Sequence, residues 1–115
     1  MKIKITELSG EALDWAVADA TGHPVYINAM GQLEDMSPGA EGLYKPSTDW
    51  EWGGPIIDRE LISLRFNPIY KYWEALNDSQ SFLTGKHGPT ALIAAMRCYV
   101  ASKLGPEVEV PEVLL

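Results

Sequence analysis

The sequence predicts an α+β fold, a small, mainly antiparallel sheet packed against two principal helices at about residues 10–20 and 89–104. Two local patterns and the composition lead there. A breaker-free stretch runs from Thr90 to Leu104, between Gly88-Pro89 and Gly105-Pro106. Short strand-favouring runs recur at Val25-Tyr26-Ile27, 61–66 and 70–76. The composition, 46% hydrophobic and 22% charged over 115 residues, fits one globular domain spanning 1–115. A chain of this size buries roughly 65% of its unfolded surface, enough for one core without staples or metals.

Met1 to Ile5 alternates polar and apolar residues, with Ile3 and Ile5 on one face, which predicts a short half-buried strand. Thr6 or Ser9 can cap the helix that follows, and Gly22 can end it. On that helix Leu13, Ala16, Val17 and Ala20 share a face, while Glu11, Asp14 and Asp19 lie elsewhere. Trp15 points away from the apolar face, so it either packs under another segment or meets a partner. A short strand at 25–27 and a long loop over 28–44 come next, because Gly31, Pro38, Gly39 and Gly42 break up the apolar pieces. Pro55 can open a helical turn through Ile56, Ile57 and Glu60, ahead of a strand at 61–66.

Residues 67–77 read two ways. Ile69, Tyr72, Trp73 and Leu76 have helical spacing, but Tyr70, Tyr72 and Trp73 favour strands, and Asn67-Pro68 can turn the chain. A hairpin pairing 61–66 with 70–76 is the preferred reading. The last helix has Leu92, Ile93, Met96, Tyr99, Val100 and Leu104 on one arc and alanines on much of the rest, which predicts a central helix covered on two sides. Arg97 lies at the edge of that arc and calls for a carboxylate or carbonyl partner.

Charge narrows the function. The net charge is −7, and residues 7–60 carry eleven acidic side chains against Lys45 and Arg59, a local balance of −9. Direct nucleic-acid binding is not expected there, since it depends on Lys and Arg displacing counterions. A basic partner surface suits this half better, and a nucleic-acid mimic is a weaker form of the same idea. Met1 to Ile5 is not followed by a leader-like apolar stretch, and nowhere do 18 apolar residues run together, so neither secretion nor a membrane span is expected. The single cysteine, Cys98, fits a reducing compartment, and its place among helical alanines suits an inert thiol.

Reactive constellations are scarce. His23, His87 and Cys98 share no ligand spacing, so no metal is expected. Gly85-Lys86 is followed by His87 where a phosphate loop needs Ser or Thr, and Gln80 stands where its first glycine would be, so no nucleotide cofactor is expected either. The segment with most binding chemistry is Ser47, Thr48, Asp49, Trp50, Trp52, Gly53 and Gly54, which unites donors, a carboxylate, two aromatic faces and glycines that allow close approach. Tight turns use the same residues. Trp50 could plug the core, Asp49 could cap a turn at Pro55, and the glycines could supply positive φ.

Four blocks then carry a family resemblance: Leu8 to Ala18, Ser47-Thr48-Asp49-Trp50 with Gly53-Gly54-Pro55-Ile56-Ile57, Trp73-Glu74-Ala75, and Gly88 to Arg97. Together they resemble the NinX-like proteins of lambdoid bacteriophages and prophages, in the same order over about residues 6–112. The resemblance implies a phage-encoded protein at work in the cytoplasm of an infected bacterium, with no catalytic residue to carry over. The expected role is a non-enzymatic module that engages a host or phage protein through Trp15, Asp49, Trp50, Trp52 and nearby acids. The alternative is a small-ligand site or unrecognised enzyme at 47–54, with Arg97 or His87 as polar partner.

Overall fold

The computed structural model describes residues 1–77 and 86–115; the Gln80–Gly85 stretch compared with a phosphate loop lies outside them. The α+β class holds, but the strands form three small antiparallel sheets rather than one. β1 (Lys2–Lys4) pairs with β7 (Glu107–Glu109), setting Ile3 opposite Val108. The sequence reading left β7 out, because three residues are too few to display a period.

α1 (Gly10–Thr21) starts after Ser9 and ends at Gly22, whose φ of 75° is the left-handed conformation a helix stop requires. Thr6 lies instead in a 3-10 turn, Ile5–Glu7. Leu13, Ala16 and Val17 are buried as their spacing predicts, and Asp14, expected off that face, is buried as well. The reason is tertiary. Leu13, Ala16 and Val17 join the main core with α3, whereas Ala18 joins a second cluster with Leu33 and Tyr44, so α1 is covered on more than one side. Trp15 packs against both clusters.

The stretch read as loop contains a hairpin. β2 (Val25–Ile27) pairs with β3 (Leu33–Asp35) because Asn28 organises the turn, its Oδ1 accepting from the amides of Met30 and Gln32. Glu11 Oε2 then accepts from Leu33 N at 3.2 Å and docks the hairpin on α1.

α2 (Trp50–Arg59) begins five residues before the turn expected at Pro55. Asp49 is its cap, accepting from Glu51 N at 2.9 Å, a bond typically worth about 1 kcal/mol. Pro55 lies inside the helix; the bond it forfeits is to the carbonyl of Glu51, an exposed residue that water can serve. Gly53 and Gly54 are therefore helical and supply no positive φ.

The hairpin reading of 61–76 is correct. β4 (Ser63–Asn67) and β5 (Tyr72–Leu76) pair from Ser63 opposite Leu76 to Asn67 opposite Tyr72. Asn67 Oδ1 holds the turn through the amides of Ile69 and Tyr70. β6 (Lys86–Gly88) adds a third strand where only a helix start was expected. α3 (Ala91–Leu104) runs through the middle, with Leu92, Ala94, Ala95, Met96, Cys98, Tyr99 and Val100 buried, as a helix covered on two sides must be.

Candidate functional site

The site begins with a tight turn. Asp49 N and Thr48 N both donate to Lys45 O, at 2.8 and 3.2 Å, and bring the chain sharply round into α2. Pro46 is fully buried, and Ser47, 1% exposed, is anchored from α1, its amide donating to Asp14 Oδ1 at 2.8 Å. Gly53 closes the arrangement from α2. A Cβ there would stand 2.5 Å from Pro46 O and 2.6 Å from Leu92 Cδ2, so α2 approaches α3 this closely only with glycine. Gly54 has no such constraint, its nearest contact being Trp50 Cε3 at 3.9 Å.

Capping by Asp49 makes Trp50 the first residue of α2 and leaves it 56% exposed rather than in the core. Ser47, Thr48 and Trp50 form one side of a groove of about 370 Å³; Trp73 of β5 and residues 89–93 at the start of α3 form the other. Thr90 caps α3, its Oγ1 accepting from Ile93 N at 3.1 Å and its carbonyl from Ala94 N at 3.0 Å. The Ala91 and Leu92 amides have no partner among the described residues, as the first turn of a helix dictates.

Beneath the groove, Asp14 is 2% exposed. Burial raises its carboxyl to about 6, and the hydroxyl and amide of Ser47 pull the other way. The Ser47 hydroxyl is buried close enough to Asp14 to favour its carboxylate form.

The other candidate residues are placed elsewhere. Trp15 lines a separate cavity of about 250 Å³ with Asp19, His23 and Val25. Trp52 is taken up in packing: its Nε1 donates to Leu43 O at 3.1 Å, and its ring meets Tyr44 and His23 with centroids 4.9 and 5.3 Å apart. Arg97 finds carbonyl partners, Nε donating to Leu8 O and a terminal nitrogen to His87 O, both at 2.9 Å, and thereby ties α3 to the segments before α1 and at β6. The His87 ring stacks on Tyr72 at 4.4 Å, so neither Arg97 nor His87 lines the groove.

Sequence reasoning missed Asp14, Trp73 and the opening of α3 as parts of one site. Their signal was present in the family blocks, which place 47–50, 73 and 89–93 around the groove and Asp14 behind it. It also missed His23, whose Nε2 lies 2.9 Å from Asp35 Oδ1 and 3.4 Å from Ser37 Oγ. These are the residue types of a hydrolase triad without its geometry. A relay needs the acid on one ring nitrogen and the nucleophile on the other, whereas here both face Nε2. Burial alone would raise the Asp35 carboxyl, but bonds from Ser37 and His23 hold it below its ordinary value. Burial also pushes the Cys98 thiol to about 11, far from a reactive thiolate. Among the described residues no group of three or more His, Cys, Asp or Glu could hold a metal ion, and no helix is long and apolar enough to cross a membrane.

Fold and site together define a small α+β protein in which a turn, a strand and a helix start enclose an aromatic-walled groove. The chain belongs to the bacteriophage P22 NinX family, whose model matches residues 4–103. No curated protein matches it. Family membership makes it a phage accessory protein.

Proposed function

We propose that the 115 residues act as a single non-enzymatic interaction module in the bacterial cytoplasm, engaging a host or phage protein through the Trp50 groove. One observation carries this reading: Trp50 stands 56% exposed at the lip of the groove, held there by the Asp49 cap. An indole offers a large desolvating area at little entropic cost, which is why Trp is enriched at interface hot spots. Asp49 and Glu51 are also exposed beside it, and their carboxylates would steer a partner with basic residues around an apolar anchor.

Affinity capture from lysate of the bacterial host, at low and moderate salt, tests the reading. The wild type should retain a stoichiometric partner that Trp50→Ala loses while its far-UV circular dichroism and melting are unchanged. Equal capture by both removes the support. Trp52 must stay intact, because its packing would confuse a binding defect with a folding one. The groove's volume also falls within the range of small-molecule pockets, which favours a small-ligand site as the second reading. A thermal-shift screen tests it, since a ligand at about 100 times its dissociation constant adds roughly 2.7 kcal/mol.

A further inference from the structure

α1 ends without the charge that usually serves a helix C-terminus. Its last turn contains no basic residue, and the carbonyls of Asp19, Ala20 and Thr21 accept from no amide among the described residues. A carboxylate stands there instead: Asp19 is exposed and has neither a hydrogen-bond nor an ion-pair partner among the described residues. Beside it opens the cavity of about 250 Å³ that Trp15, Asp19, Gly22, His23 and Val25 line. Trp15 packs against both clusters yet is only half-buried, so part of its ring is left to the cavity. Nε2 of His23 is engaged by Asp35, and among the described residues no Lys or Arg lines the cavity. The carboxylate, the negative end of the helix dipole and the electron-rich indole face all favour a cation. The surrounding stretch, residues 7–60 with its balance of −9, draws a basic surface toward it.

We infer that this cavity receives an arginine side chain from a basic protein partner, its guanidinium stacked on Trp15 and bonded to the Asp19 carboxylate. Arginine suits it better than lysine because the guanidinium is flat and weakly hydrated, and can lie on an aromatic face while its N–H groups reach a carboxylate alongside. A lysine ammonium is compact and strongly hydrated, and loses more on leaving water. The cavity shares no lining residue with the Trp50 groove, so this contact is separate from the one proposed there.

The test is a titration of the full-length ¹⁵N-labelled protein with N-acetyl-arginine-N-methylamide, in parallel with the citrulline and lysine counterparts. Citrulline keeps the shape of arginine without its charge. The arginine compound should move the Trp15 indole and Gly22 amide signals saturably and bind more tightly than either counterpart, with affinity falling as salt is added. Asp19→Asn should weaken it about fivefold, the amount a partly exposed charge pair supplies. The same variant should melt no lower than the wild type, since it removes a negative charge from the negative end of α1. Undiminished arginine affinity in Asp19→Asn overturns the inference, as does equal or tighter binding of the citrulline or lysine compound. If none of the three moves these signals, the arginine site fails. Partner capture by Trp50→Ala decides separately whether the groove reading stands.

Discussion

Two tryptophan-bearing regions of this protein differ in what their rings and polar atoms do. In the first, His23, Tyr44 and Trp52 pack ring on ring with centroids 4.6 to 5.3 Å apart. The Trp52 indole is bonded to Leu43 O, and the His23 ring to Asp35. In the second, Trp50 and Trp73 line an open groove, and Trp50 is 56% exposed. Trp50 and Trp52 are two residues apart in the chain, yet one helps seal the fold and the other faces solvent. Aromatic density alone does not separate a site from a core; hydrogen-bond satisfaction and exposure do.

The widest separation is expected from truncating the two tryptophans singly. Trp52→Ala removes a packed ring and leaves Leu43 O without its donor, and should cost about 3 kcal/mol in urea unfolding. Trp50→Ala should stay within about 0.5 kcal/mol of the wild type. Similar losses in both variants would break the distinction between the clusters.

Two carboxylates, Asp14 and Asp35, should respond to pH in opposite senses. The folded chain holds the Asp14 proton up to about pH 6, whereas the unfolded chain releases it near the ordinary value of 3.8. Stability should therefore fall as pH rises through that window and level off above it, by up to about 3 kcal/mol. Asp35 is held below its ordinary value, so its contribution is present above about pH 4 and lost as the pH falls further. Denaturant unfolding at stepped pH should show the first slope removed in Asp14→Asn and the low-pH loss reduced in Asp35→Asn. An Asp14→Asn profile parallel to the wild type would contradict the burial argument.

A smaller effect should divide the adjacent glycines. Gly53→Ala must push both the Pro46 backbone and the Leu92 side chain away and should cost about 2 kcal/mol. Gly54→Ala has room and gains helix propensity, so it should be neutral or slightly stabilising in the same thermal melts. Equal melting temperatures would mean that the α2–α3 approach is looser than it stands here.

Much of this architecture could be read from the chain because it depends on local chemistry. The helix of Thr90 to Leu104 announced itself through its flanking Gly-Pro pairs, α1 through Ser9, Gly22 and the Leu13-Ala16-Val17 face, and the 61–76 hairpin through its strand formers around Asn67-Pro68. The requirement that Arg97 find a carboxylate or carbonyl followed from its place on the helix wheel alone. Local rules also caused the misses. Gly53-Gly54-Pro55 looks like a break, because propensity cannot show that Asp49 caps a helix there or that Leu92 occupies the space a side chain would need. Only the tertiary structure decided which tryptophan was covered, that Asp14 lies buried behind Ser47, and that residues 47–50, 73 and 89–93 share one groove. The physical reason is that periodicity records which way a side chain faces along its own element, whereas burial and hydrogen-bond satisfaction depend on segments far away in sequence.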